Sequence, residues 1–417
     1  MDEKRLDEAV VNLFTSRMKL GVFDEKGENP YDKIPYTVVD SPRMRRLNEQ
    51  VAERCVVLLK NDNQILPLRK EKIHTIGVIG PNADNRRALV GNYEGTASRY
   101  VTVLEGIQDY VGDDVRVLYS EGCHLYKDRT SGLAQANDRA SEVRGVCRES
   151  DVIIAVMGLD ASLEGEEGDT GNEYGSGDKP NLNLPGLQHE ILKIAKESGK
   201  PVILVLLTGS AMAVTWEDEH LDAILQGWYP GAQGGAAIAR ILFGEANPEG
   251  KLPVTFYRTT EELPPFEDYS MKGRTYRYMK QKALYPFGYG LSYTTYFYEN
   301  AALVSDKICG EEGVVLRADV TNTGAMDGTE TVQIYVGLDR EDAPNPQLKK
   351  IVKVPLKAGE TKHIEAMLPK EAFMLHDENG APVLYPGTYH IYMGGSQPDA
   401  RSLELTKRAV CHFVIQH

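Results

Sequence analysis

Four carboxylates crowd one short stretch of the chain: Glu164, Glu166, Glu167 and Asp169, within Leu163-Glu-Gly-Glu-Glu-Gly-Asp169. Carboxyls this close raise one another's pKa, and a carboxyl so raised can hold a proton at neutral pH and pass it to a leaving group. The glycines between them let backbone approach a ligand closely. General acid catalysis is therefore one chemistry open to the stretch. A solvated acidic surface loop is the competing reading. Calcium binding is a third, and it fails on pattern, because no Asp-x-Asp/Asn-x-Asp/Asn-Gly run leads to a spaced Glu.

What lies upstream gives the stretch a place. Val152-Ile-Ile-Ala-Val-Met157 is a continuous apolar run, the mark of a strand covered on both faces in a parallel sheet. In open α/β sheets ligands bind in the crevice beyond the carboxyl ends of the strands. An acidic, glycine-rich loop following such a strand is a candidate site.

The surrounding chain supplies the sheet. Strand-like runs recur at 56–59, 75–79, 115–119, 152–157, 202–207 and 223–225, with helical runs at 104–110, 135–148, 187–197 and 232–243 between them. That alternation predicts an α/β fold, a mainly parallel sheet flanked by helices. Ser41-Pro42 opens an earlier helix, with Ser as N-cap and Pro at its first position. Residues 2–20 form another, closed by Gly21. Its apolar face, Leu6, Val10, Leu13 and Leu20, has no evident home in the rest of the sequence. Residues 245–298, rich in Pro, Gly and Tyr, read as a long irregular connection. From Val314 the apolar period becomes two, with turns at Asn322-Thr-Gly324 and Pro386-Gly387, which predicts an all-β, immunoglobulin-like sandwich.

Composition narrows the partners. At 417 residues with a net charge of −14, the composition argues against nucleic acid or an anionic membrane as partner, since either would want a basic face. No apolar run reaches the ~18 residues of a membrane span. The start, Met1-Asp-Glu-Lys-Arg-Leu6, has no apolar signal core, so a cytoplasmic location is expected. Cys55, Cys123, Cys147, Cys309 and Cys411 are scattered without CxxC spacing, which predicts thiols rather than zinc ligands or a disulfide framework. Gly77-Val-Ile-Gly80-Pro81 is not GxGxxG, and no GxxxxGK[ST] occurs; a nucleotide site is rejected. Neither metal nor organic cofactor is expected.

A family resemblance runs nearly end to end. It is carried by Cys55-Val-Val-Leu-Leu-Lys-Asn61, Gly91-Asn-Tyr-Glu-Gly95, Gly158-Leu-Asp160, Tyr229-Pro-Gly-Ala-Gln-Gly-Gly235, Asn247-Pro-Glu-Gly-Lys-Leu-Pro253 and Tyr285-Pro-Phe-Gly-Tyr-Gly-Leu-Ser-Tyr293. In order and spacing these resemble the C-terminal two-thirds of glycoside hydrolase family 3, near its β-xylosidase-like branch. The resemblance implies residues 1–40 as the last helix of a (β/α)8 barrel and a linker. It further implies an α/β sandwich over 41–258, a linker over 259–298, and a fibronectin type III-like sandwich over 299–417.

The implied activity is a retaining β-glycosidase acting on small β-linked saccharides, xylosides or glucosides. Such enzymes hold two carboxyls roughly 5–5.5 Å apart. The resemblance assigns the acid/base to the Glu-x-Glu element, here Glu164-Gly-Glu166, with Glu166 as proton donor and Glu164 in reserve. Asn92 and Tyr93 match residues that face the sugar, a surface turn being the alternative. Trp228 is expected as a core residue or a sugar-stacking one; Arg274, Tyr276 and Arg277 are expected to tie down the linker. The aspartate nucleophile of the family lies on the barrel, and no matching motif occurs in this sequence. A barrel partner or N-terminal domain is therefore expected, the chain by itself being inactive; self-association is also left open. A non-catalytic carbohydrate-binding or interaction module is the alternative function.

Overall fold

The computed structural model describes residues 2–129, 131–165, 179–308 and 313–417. The chain divides into two units, one up to Leu47 and one from Asn48. In the first, α1 (Glu3–Lys19) is capped by Asp2, whose carboxylate accepts the Lys4 N–H. It ends at Leu20, with Gly21 in the left-handed region at φ 69°, the geometry glycine allows at a helix C-terminus. Phe14 stacks on Phe23 at 5.9 Å, and the Arg17 guanidinium lies over the Phe14 ring. No residue of α1 is buried; Val11 is 62% and Met18 66% exposed.

α2 (Pro42–Cys55) leads into the second unit, and Ser41 accepts the Met44 N–H at its start. A six-stranded sheet follows, built from β1 (Val57–Asn61), β2 (Thr75–Ile79), β3 (Arg116–Ser120), β4 (Val152–Gly158), β5 (Val202–Leu207) and β6 (Ala223–Gln226). Its order is β1-β6-β5-β4-β2-β3. All neighbours are parallel except the edge pair β1 and β6. The mainly parallel α/β architecture expected from the alternation of elements is present.

Every residue of β4 is buried, and its side chains divide by parity. Ile153, Ala155 and Met157 join a core with residues of α4 (Ala140–Glu149) and α5 (Gln188–Glu197). Val152, Ile154 and Val156 join another with α3 (Val103–Val111) and α7 (Gly234–Leu242). Alternate side chains of a strand point to opposite faces, so two helical layers need an unbroken apolar run. Each of the Val, Ile and Met side chains among them contributes roughly 1.5–3 kcal/mol on burial. α4 starts five residues or so later than its apolar pattern suggests, because the Asp138 carboxylate accepts the Gln135 N–H in a turn ahead of it.

The connection beyond α7 is irregular yet firmly held. Tyr285 donates to Asp218, on the short helix α6 (Thr215–His220), at 2.6 Å, and Tyr289 to the Leu59 carbonyl at 2.9 Å. Tyr276 lies in the single turn α8 (Thr275–Tyr278) and stacks on Phe287; Asn345 donates to the Tyr276 and Met279 carbonyls. Tyr276 and the Arg277 carbonyl thus fasten the linker to the β-sandwich, as expected, whereas Arg274 bonds within the linker to Pro265 and Ser270.

The sandwich starts inside that stretch, at β7 (Tyr296–Ser305), followed by β8 (Val314–Asn322), β9 (Gly328–Leu338), β10 (Gln347–Leu356) and β11 (Thr361–Leu368). A two-residue pair, β12 (Leu375–His376) and β13 (Pro382–Val383), precedes β14 (Thr388–Gly394) and β15 (Cys411–Gln416), with α9 (Ala400–Thr406) before the last strand. One sheet runs β10-β9-β14-β15 and the other β11-β8-β7. Their inward residues, among them Leu316, Ile334, Ile364 and Ile391, form one core.

Candidate functional site

The site is built at the carboxyl end of β4. Gly158, at φ 136°, ends the strand where a Cβ would sit 2.1 Å from the Leu207 carbonyl; only glycine fits so close to β5. Asp160 follows, 4% exposed. Its carboxylate accepts the Ser162 N–H at 2.8 Å and hydroxyl at 2.5 Å, and its carbonyl accepts the N–H groups of Leu163 and Glu164. This side-chain-capped turn sends Glu164 back towards the ends of the neighbouring strands.

There the Glu164 carboxylate is met by three donors. The Gly209 N–H approaches Oε2 at 2.7 Å, Ser210 Oγ donates to Oε1, and the Tyr229 hydroxyl donates to Oε2. Lys179 Nζ lies 3.9 Å from Oε1 and donates to Ser210 Oγ at 2.6 Å. Gly209 follows β5, and a Cβ on it would come 2.9 Å from Glu164 Oε2 and 2.8 Å from the Tyr229 ring. Tyr229 follows β6 after Trp228, which is held at φ 59° and donates through Nε1 to the Cys55 carbonyl at 3.1 Å. A bulky side chain in that backbone region is a local strain, of the sort found around functional sites. Trp228 packs against the core, the first of its two expected roles.

Burial, and next the Glu164 charge, push the Tyr229 phenol well above its ordinary range. Burial lowers the Lys179 ammonium, with Glu164 pulling the other way. Three hydrogen bonds to its two oxygens hold the Glu164 carboxylate in place. The group fits an anchor for the loop better than a proton carrier.

The other sequence-predicted residues divide. Asn92 Nδ2 donates to the Glu164 carbonyl at 3.0 Å, so the Gly91–Gly95 loop and the acidic loop are brought together. Tyr93, next to it, has φ 62° and is 85% exposed. Glu166, Glu167 and Asp169 lie outside the described residues, as does Cys309. His189 meets the buried Glu217 at 2.8 Å. Gly209, Ser210, Lys179 and Tyr229 were missed as partners. Only Tyr229 carried a signal, through its Tyr-Pro-Gly motif.

Beside the turn opens a cleft of about 610 Å3 at the carboxyl ends of β2, β3 and β4, lined by Asp84, Arg87, Tyr119, Glu121, His124 and Asp160. β2 leads out to β3 while β4 lies on its other side. Such a switch point is where open α/β sheets bind ligands. Tyr119 is pushed up to about 12 by burial and then by Glu121. Burial, reinforced by Lys127, lowers His124. Among the described residues no group of His, Cys, Asp and Glu is arranged to hold a metal ion. No helix among them is long and apolar enough to cross a membrane. Cys123 and Cys147 are buried free thiols, pushed up to about 12 and about 11 by burial.

Residues 56–293 match the Glycosyl hydrolase family 3 C-terminal domain, and residues 330–397 a Fibronectin type III-like domain. A β-xylosidase of Formosa agariphila is 34% identical over 97% of this chain and 55% of its own length. The periplasmic β-glucosidase of Salmonella typhimurium is 32% identical over 93% and 54%. Among solved structures, a GH3 exo-β-xylosidase in complex with a xylobiose aziridine activity-based probe aligns with TM-score 0.83 and 25% identity. That alignment covers all of this chain and 54% of the enzyme. A Listeria innocua β-glucosidase in complex with isofagomine aligns with TM-score 0.80 and 26% identity, over 100% and 56%. The chain spans about half the length of the relatives it matches.

Proposed function

The chain belongs to glycosyl hydrolase family 3, and on that footing we propose that it is the acid/base-bearing portion of a retaining β-glycosidase acting on β-xylosides or β-glucosides. The observation that carries this reading is the anchoring of Glu164, the first residue of the Glu-x-Glu element, at the carboxyl end of β4. Glu164 fixes the start of the loop to the segments after β5 and β6. Glu166 is the proton donor, and Asn92 ties the neighbouring loop to the same point.

In the first step Glu166 protonates the leaving oxygen while an aspartate attacks the anomeric carbon. In the second it deprotonates the water that releases the sugar. The aspartate belongs to a (β/α)8 barrel, supplied by the remaining half of the family's architecture or by a partner. The barrel also holds most contacts that choose between xylose and glucose.

The test is co-production of this chain with a barrel segment encoded beside it, assayed on aryl β-xylosides and β-glucosides. Turnover should need both parts. Glu166→Gln should slow it by about 10²–10⁴-fold. Azide should restore turnover of an activated aryl glycoside, whose leaving group needs no proton, by attacking the glycosyl-enzyme without a general base and releasing the glycosyl azide. Robust turnover by this chain alone, or full activity in Glu166→Gln, overturns the reading.

A further inference from the structure

At the junction of the α/β layers with the β-sandwich lies a cavity of about 470 Å3, within the size range of small-ligand sites, which favour such junctions. Lys251 and Ser292 line it from the connection, Tyr296 and Tyr298 from β7, Glu330 from β9, and Arg408 from the turn before β15. It lies apart from the Glu164 anchor and shares no residue with it.

Its polar groups are under-used. Tyr296 is 5% exposed, and among the described residues its hydroxyl has only Ser292 beside it and no well-formed hydrogen bond, a costly state for a buried donor. Glu330 is 4% exposed and accepts the Tyr298 hydroxyl at 2.8 Å, while a carboxylate can accept several hydrogen bonds. Lys251 Nζ donates to the Gly290 carbonyl at 2.6 Å, and its other protons have no acceptor among the described residues. Burial lowers the Lys251 pKa, and Glu330 opposes that shift. The Arg408 guanidinium makes no ion pair among the described residues.

Two further features select a ligand. Lys251, Lys407 and Arg408 face a single carboxylate, Glu330, in a chain of net charge −14, so the cavity runs against the field of the whole and suits an anion. A Cβ on Gly395 would lie 2.3 Å from Glu330 Oε1, and Phe297, 53% exposed, offers a flat apolar wall. Carboxylate, hydroxyl donor and ring face together are the set that grips a sugar ring. Inorganic phosphate would satisfy the cations but be repelled by Glu330. A neutral sugar would leave Arg408 unused.

We propose that this cavity binds a monosaccharide-sized sugar acid, its carboxylate on Arg408 and Lys407 and its ring hydroxyls on Glu330, Tyr296 and Lys251. The site does not depend on the glycosidase reading and performs no chemistry.

Calorimetric titration of the whole chain with glucuronate, glucose and inorganic phosphate tests it. Glucuronate should bind, with glucose about tenfold weaker or more and phosphate failing to displace it. Arg408→Gln, at an exposed position, should weaken glucuronate at least about tenfold. Tyr296→Phe should weaken it about threefold while leaving the unfolding midpoint nearly unchanged, since it removes a poorly paired hydroxyl. The proposal is overturned if glucuronate does not bind at about 10 mM, if glucose binds equally, if phosphate displaces it, or if Arg408→Gln binds as the parent does.

Discussion

Glu164 and Glu330 are both largely buried, and both are approached by a glycine that no other residue could replace without displacing the carboxylate. They differ in how much of their bonding capacity the protein itself uses. Glu164 accepts three donors and has a lysine nearby; Glu330 accepts one tyrosine. A saturated carboxylate holds its neighbours in place and has little left for a ligand. An under-used one contributes less to the fold and keeps acceptor sites for something else.

The contrast makes graded predictions. Glu164→Ala strands Lys179, Ser210 and Tyr229 in a poorly solvated site, and should cost about 3 kcal/mol in denaturant unfolding. Glu330→Ala should cost less than half as much; equal losses would erase the distinction. Gly209→Ala pushes a methyl against both the carboxylate and the Tyr229 ring, for a loss of about 2 kcal/mol. Gly395→Ala meets only a carboxylate with room to move, so stability should fall by less than about 1 kcal/mol while glucuronate binding is lost.

The smallest effect is in pH. Folded Tyr229 keeps its proton above the range in which an unfolded tyrosine, near pKa 10, loses it. Above about pH 10 the unfolded chain therefore binds fewer protons, and stability declines as pH rises. Tyr229→Phe should make that decline shallower in unfolding curves taken from pH 9 to about 11. An unchanged slope would mean that the phenol is not held protonated by Glu164 and burial.

Much of this fold was legible because it rests on local pattern. Val152–Met157 and Val202–Leu207 are apolar throughout because both faces of their strands are covered, and period two reappears where one face of a sheet meets solvent. Strand direction was not legible. Nothing in Val57–Asn61 distinguishes it from its parallel neighbours, yet it pairs antiparallel at the sheet edge. The site was half legible. Acidity and glycine content marked Glu164, but its partners lie 45, 46 and 65 residues away, and such pairings leave no periodic trace. The cavity beside Glu330 left no mark of a site either: Tyr296 and Arg408 look ordinary where they stand in the sequence, and the Asn247–Pro253 segment that holds Lys251 marks the family without pointing to a ligand.

The 65-residue span between Glu164 and Tyr229 also sets an order of events. Their hydrogen bond closes only after β5 has paired with β4 and β6 with β5, because Gly209 and Tyr229 are carried on the ends of those strands. Closing loops of that size early is entropically unfavourable, so the acidic loop is fastened late in folding, after its scaffold. During synthesis the chain must emerge past Tyr229 before all three donors can hold the loop.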